Sequence, residues 1–354
     1  MLSQGILRGT QVEVSDYQFE RSDLRIGERR PGISAFMRIR DGADFLEATI
    51  RSHIDEFDEI VAVYNQCSDQ TPEILSRLQR EFGSQRLRVI HYLDRVYPQG
   101  TLGHASTAPD SVHSVVNYSN FALAATRHQY VTKLDDDHIA IAETTKRITQ
   151  QIRAGDVDDG ALHCFSGLNL ICRPDGTLGV LAHDPISGSG DIGFFRITEK
   201  TFFVHDRRFE RFCRGALKRR FIGFLYWHCK FLKSSMGFGN YELKENPESR
   251  FEKKRSRLQD SPIDIWDLQQ LAKAKRSNAV LRLLGRLSAK HELLRQRDDS
   301  IATQFPVASV SQAFRDTLSP SLLSDSSIAK LLDANDAESN SSRSRPHIHR
   351  PSAA

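Results

Sequence analysis

The chain has 354 residues, 39% hydrophobic and 27% charged, a balance that buries a sizeable core and excludes collagen-like and wholly disordered classes. No apolar run reaches the roughly 18–20 residues that span a bilayer. A formal net charge of +4 is too small to argue for nucleic acid, so where the charge sits matters more than its sum. The opening MLSQGILRGTQVEV lacks the basic and apolar regions of a secretory leader. Five cysteines are scattered without a C-x-x-C pair, which points to reduced thiols in a cytoplasmic protein.

Residues 1–31 form a polar segment that closes on ERRPG. ISAFMRI (33–39) is a predicted strand, followed by a helix over about 43–56 with Leu46, Ile50 and Ile54 stacked four apart. EIVAVY (59–64) is the second strand. Thr71-Pro72 then opens a helix, because proline at the first helical position gives up only an N–H that would be unpaired anyway. LRVIHYL (87–93) is the third strand, Val112, Val115, Val116, Ser119 and Leu123 mark another helix, and YVTKL (130–134) runs directly into Asp135-Asp136-Asp137. Parallel strands joined by right-handed crossovers explain this alternation most simply and predict an α/β architecture. Ligands in such sheets gather at the carboxyl ends of the strands, so the loops after Ile39, Tyr64 and Leu134 are expected to share one crevice.

Three consecutive aspartates repel one another unless a cation offsets them. In a strand, Asp135 and Asp137 point to one side and Asp136 to the other. The outer pair can therefore present carboxylates to Mn²⁺ or Mg²⁺, hard ions that are shared with substrate phosphates, while Asp136 meets a ribose hydroxyl or a backbone amide. The bland alternative is a solvated acidic turn before a helix at about 143.

With these residues in place, the chain resembles the family 2 glycosyltransferases and their nucleotide-sugar-binding GT-A fold. The resemblance rests on ISAFMRIRDGADFLEATIRSHIDEFDEIVAVYNQCSDQTPEIL (33–75) and NYSNFALAATRHQYVTKLDDDH (117–138), with Asp135–Asp137 matching the D-x-D motif. It implies inverting transfer of a sugar from a nucleotide-diphosphate donor to an acceptor hydroxyl, assisted by the metal and by a carboxylate base. It also implies a setting in bacterial surface polysaccharide or glycoconjugate assembly. Arg38 and Arg40 would lie at the nucleotide. Asn65 stands where the family places an aspartate, and Asp69, the nearest remaining carboxylate, either meets the nucleotide or caps the helix at Pro72. Asp191, in the glycine-containing HDPISGSGDIGFFR, and Glu210, in FFVHDRRFERF, are the candidate bases, with Asp206 third. His228, in GFLYWHCKFLK, is either a late metal ligand or a packed histidine on an aromatic helix. Lys133 and His138 read as structural neighbours of the acids.

Arg214 to Arg257 holds twelve Lys/Arg against four Glu around the apolar FIGFLYWHCKFL. This is read either as a buried helix with basic ends or as a surface for anionic lipid or a lipid-linked acceptor. The expected division is a GT-A domain over 32–245 (donor half 32–140, acceptor half 141–245), a helical extension over 246–300 carrying Leu268, Leu271, Leu281, Leu284, Leu287 and Leu294, and a Ser-rich, largely disordered tail over 301–354. The expected partners are a nucleotide-sugar and a glycan or lipid-linked acceptor, without nucleic acid. A nucleotidyltransferase is the rival enzyme, and its glycine-rich loop is missing from RIRDGAD. A non-catalytic nucleotide-sugar-binding or scaffold protein is the rival from another class.

Overall fold

The computed structural model describes residues 7–8, 11–190, 193–206, 210–238, 246–260, 263–276 and 288–332. The first half runs β1 (Leu7–Arg8), β2 (Gln11–Val14), β3 (Arg30–Ile39), α1 (Leu46–His53), β4 (Glu59–Tyr64), α2 (Thr71–Phe82), β5 (Leu87–Tyr92), α3 (Leu102–Ser106), α4 (Val115–Ala124) and β6 (His128–Lys133). The second continues with β7 (His138–Ala140), α5 (Ala142–Ala154), β8 (Ala161–Cys172), β9 (Leu178–Leu181), β10 (Ile186–Ser187), β11 (Gly193–Arg196), β12 (Thr201–His205), β13 (Glu210–Arg214) and β14 (Lys218–His228). Then follow α6 (Arg250–Asp260), β15 (Ile265–Trp266), α7 (Leu268–Lys275), α8 (Ala289–Gln304) and α9 (Val310–Thr317).

The central sheet takes the order β2-β5-β4-β3-β6-β11-β8-β14-β7. From β2 to β6 every neighbouring pair is parallel. β11 reverses direction between β6 and β8, β14 runs parallel to β8, and β7 closes the far edge antiparallel to β14. The result is a mixed sheet flanked by helices. Both faces of the parallel part are covered. Ile33, Ala35, Met37 and Ile39 of β3 join Leu46, Ile50, Leu75 and Leu78 of α1 and α2 on one side. Phe36, Val61, Val63 and Ile90 meet Val116 and Phe121 of α4 on the other. β4 is buried at every position, as a strand covered on both sides must be. Burying each such side chain contributes roughly 1.5–3 kcal/mol.

Three stretches differ from the sequence reading. The polar N-terminal segment does not stand apart: Val12 and Val14 of β2 pair with Ile90 and Tyr92 and extend the sheet. The basic aromatic run is a strand, β14, rather than a helix. Its Phe224, Tyr226 and Trp227 are buried, so these aromatics face the core and offer nothing to a lipid surface. Residues 301–332 carry α9 and pack Phe305 and Phe314 against Phe224 and Trp227, while Trp227 Nε1 donates to Thr317 Oγ1 at 2.8 Å. Leu268 and Leu271 join the same cluster. Leu281, Leu284 and Leu287 lie outside the described residues. No described helix is long and apolar enough to cross a membrane.

Candidate functional site

A cleft of about 550 Å³ opens at the carboxyl ends of the parallel strands, and the loops after β3 (Arg40, Asp41, Asp44), β4 (Asn65, Asp69) and β6 (Asp135, Asp136, Asp137) line it together. A fourth wall comes from the end of β14, with His228, and the loop after it, with Lys230, Lys233 and Ser234. That loop is latched to the first wall, because Asp44 Oδ2 accepts from the Ser234 amide at 3.0 Å and from its hydroxyl at 3.2 Å.

β6 ends at Lys133, and Asp136-Asp137 form a turn into β7. The expected strand alternation therefore does not apply: Asp136 and Asp137 share Lys233, while Asp135 turns to Lys133. Asp135 meets Lys133 Nζ at 2.9 Å; burial raises its pKa, but the Lys133 charge outweighs this and holds it below the usual carboxylate range. Lys233 Nζ lies 2.9 Å from Asp136 Oδ2 and 2.9 Å from Asp137 Oδ2. Burial pushes Asp136 up, and the neighbouring Asp137 charge adds to it. Asp137 stays far below its ordinary value, because the Lys233 charge overcomes its burial.

The other oxygen of Asp137 faces a ring nitrogen. Asn169 Nδ2 donates to the Asp184 carbonyl at 2.6 Å, which turns its Oδ1 toward His228 Nδ1 at 2.6 Å. Nδ1 is thereby the donor nitrogen, and in the neutral ring Nε2 carries a lone pair. Nε2 sits 3.3 Å from Asp137 Oδ1. With the ring neutral these are two acceptors in a largely buried site, and they repel unless a cation joins them. Adjacent ligands about 2.1 Å from one ion lie roughly 3 Å apart, so the pair fits a divalent metal. His138 adds a third ligand atom within 4.8 Å of these two. Its ring stacks on Tyr226 at 3.7 Å, its buried Nε2 has no hydrogen-bond partner among the described residues, and burial lowers its pKa to about 3, which leaves a neutral imidazole. The atoms brought together are thus those of Asp137, His138 and His228, and Asp135 is not in the group.

Asn65, Asp69, Arg38 and Glu210 have structural partners. Asn65 is buried; its Nδ2 donates to the Tyr92 and Asp94 carbonyls at 2.7 and 2.6 Å, and its Oδ1 accepts from Val96 N at 3.1 Å. Asp69 accepts from Ala43 N at 2.9 Å and, from the first residue of α2, Thr71 N at 3.0 Å, and it also lines the cleft. With Asp41 and Cys67 it forms a second group of close ligand atoms, yet Asp41 Oδ1 already accepts from Ser68 N at 2.5 Å and burial raises the Cys67 thiol to about 11. This group is a loop latch. Arg40 lines the cleft, as does Arg38, whose Nη2 is 2.7 Å from Glu210 Oε1. Glu210 is not among the cleft-lining residues, and Asp191 lies outside the described residues.

The loop after β3 shapes the wall beside the acids. Asp41 adopts φ 52°, a left-handed conformation that aspartate tolerates better than most residues. A Cβ on Gly42 would stand 2.5 Å from Asp136 Oδ2, so glycine leaves room for that carboxylate. Lys233 and Asn169 escaped the sequence reading. Lys233 sits five residues beyond His228, in the stretch read only as basic flank, and nothing in the sequence marks Asn169.

No family model matches the chain, and no curated protein does. Among solved structures it is similar to a mannosyltransferase from Pyrobaculum calidifontis in complex with GDP-Man and Mn²⁺, at 12% identity and a TM-score of 0.36, over 90% of this chain and 76% of that one.

Proposed function

We propose that the cleft binds a nucleoside-diphosphate sugar beside a divalent ion, and that the chain is a metal-dependent glycosyltransferase of the GT-A, family 2-like type. The sugar passes to an acceptor hydroxyl with inversion, and assembly of a surface polysaccharide or glycoconjugate is the setting the sequence resemblance implies. The observation that carries the reading is the buried Asp137 Oδ1, which has no hydrogen-bond partner among the described residues and lies 3.3 Å from His228 Nε2 at the carboxyl ends of parallel strands.

Asp137 and His228 would hold the ion, with His138 beside them. An imidazole nitrogen in the set favours Mn²⁺ over Mg²⁺. When bound, the ion supplies neutralisation of charge on the leaving diphosphate. Arg40, Lys133 and Lys230 line the same cleft and give the phosphates further cationic partners. Glu210 is assigned a positioning role: it and Ser119 Oγ hold the two ends of the Arg38 guanidinium. The proton of the acceptor hydroxyl needs a carboxylate on the far side of the sugar, and Asp191 remains the candidate for that part.

Calorimetric titration with GDP and UDP, with and without Mn²⁺, tests the reading. Mn²⁺ is expected to tighten one of them at least tenfold, and Asp137→Asn is expected to remove that gain. Binding indifferent to the ion, or unchanged in Asp137→Asn, rejects the metal role. Sugar transfer or donor hydrolysis by the purified chain separates an enzyme from a binding protein.

A further inference from the structure

A second cavity, of about 400 Å³, lies away from the cleft, between β2, β5, the end of α4 and the segment that leads into β3. Arg30 and Arg88 stand at the amino ends of β3 and β5, and Arg127 just precedes β6, whereas the cleft is built at the carboxyl ends. The proposed function uses none of these residues.

Arg25, Arg29, Arg30, Arg88 and Arg127 all line the cavity, along with a single acid, Glu28. Behind the wall the buried Glu59 meets Arg88 at 2.9 Å and Arg127 at 3.5 Å. Five guanidinium groups therefore face two carboxylates. Arg29 is nine-tenths buried. Its Nε donates to the Leu24 carbonyl at 2.7 Å, and its Nη1 to Thr126 Oγ1 at 2.9 Å and the His128 carbonyl at 2.8 Å. Its Nη2 is buried and meets no acceptor among the described residues. Burial lowers the Arg29 pKa to about 10 despite the nearby Glu59 charge, a sign that the guanidinium lacks compensating negative charge. Arg25 and Arg30 are exposed and pair with no carboxylate among the described residues.

The rest of the lining is apolar, from Val12, Val14, Ile90 and Phe121 among others. A volume of this size falls within the range of small-molecule sites, about 300–1,000 Å³. Guanidinium forks match phosphoryl oxygens in pairs, and a dianion would offset the surplus charge. We propose that this cavity binds an organic phosphate, with the arginines on the phosphoryl group and the apolar wall against the body of the ligand.

The test is calorimetric titration of the full chain with phenyl phosphate and, in parallel, with inorganic phosphate. Arg25 has φ 45°, a conformation asparagine accepts, so Arg25→Asn/Arg30→Gln removes two exposed charges and leaves the buried Arg88–Glu59 pair alone. Phenyl phosphate is expected to bind at least tenfold more tightly than inorganic phosphate, to weaken tenfold or more in the double variant, and to bind unchanged in the cleft variant Arg40→Gln. No binding, unchanged affinity in the double variant, or loss in Arg40→Gln overturns the site. Equal affinity for the two phosphates overturns the role of the apolar wall. Sedimentation with phosphatidate-containing vesicles, lost in the double variant, supports the site with a lipid headgroup as the source. Phenyl phosphate binding without vesicle binding supports it with a soluble phosphomonoester.

Discussion

Lys233 reaches both Asp136 and Asp137 at 2.9 Å with its side chain only 8% exposed, so one ammonium neutralises two carboxylates that would otherwise repel. Removing one partner of a buried ion pair costs about 3–5 kcal/mol, because the remaining charge is left uncompensated. Lys233→Met is therefore expected to lose that much stability in chelator, measured by urea unfolding. If a divalent ion sits at Asp137, added Mn²⁺ should restore part of the loss; an equal deficit with and without Mn²⁺ would make Lys233 a structural tie alone. Gly42→Ala approaches the same carboxylate from the other side, since its Cβ would press on Asp136 Oδ2 and, at 3.0 Å, on Ile39 Cγ2. It is expected to weaken Mn²⁺-dependent nucleotide binding about tenfold, roughly 1.4 kcal/mol, by displacing Asp136. On α1, His53 is buried against Phe57, and burial pushes its pKa down to about 4 although its bond to the Thr49 carbonyl pulls upward. An unfolded imidazole titrates near 6.5, so above that pH both states are neutral and the contribution is complete. As pH falls from 6.5 toward 4, the unfolded chain takes up a proton that the fold refuses, and stability drops by roughly 3 kcal/mol from this group. His53→Met should flatten the profile in that window relative to wild type, and an unaltered slope would contradict it. At this scale the sequence singled out Asp137 and His228 by residue type and neighbourhood, and the fold brings them to 3.3 Å. The sequence could not expose Lys233 or Asn169, whose roles come from distances across the fold.

Among the elements, those of the first half were legible because each strand is followed by a helix with its own apolar stripe, as with Leu75 and Leu78 of α2 under the sheet. β14 was not. Its run from Phe221 to Trp227 is continuously apolar or small, and a short apolar run reads equally as a buried helix or a strand covered on both faces. What decides is its partners: β8 on one side over most of its length and β7 at its end. Those long-range pairings leave no local mark. Gly167 on β8 supports the arrangement, since a Cβ there would collide with the ring of Tyr226, the same ring that stacks on His138. The tail was misread for a related reason. Serines dominate its composition, yet Val310, Ala313 and Phe314 share one buried face of α9. Phe314 is fully buried, and Phe314→Ala is expected to cost about 3–5 kcal/mol, read as a lower unfolding midpoint in denaturant. A loss under about 1 kcal/mol would mean that α9 rests on the sheet without stabilising it.

At the scale of the whole molecule, the donor half read from the sequence, 32–140, contains three of the four cleft walls, with Asp137 and His138, but not all of the chemistry proposed for them. His228, Asn169 and Lys233 all come from beyond it, and the Cys229 amide donates to the Asp137 carbonyl at 2.8 Å to hold the acidic turn. The core is shared as well. Phe165, Phe194, Leu225 and Tyr226 of the second half sit in the same cluster as Ile33, Met37 and Tyr130 of the first, and β6 hands its outer edge to β11. A fragment ending at residue 156, after α5, would expose that edge and leave these apolar surfaces uncovered, a condition that favours aggregation over folding. It is expected to show no cooperative thermal transition and no Mn²⁺-dependent nucleotide binding, even though it retains Asp135, Asp136 and Asp137. Adding a separately expressed 157–354 fragment should restore both, because the missing strands and His228 arrive together. A 1–156 fragment that melts cooperatively and binds nucleotide with Mn²⁺ by itself would show that the first half is an autonomous unit and that His228 is dispensable to the site.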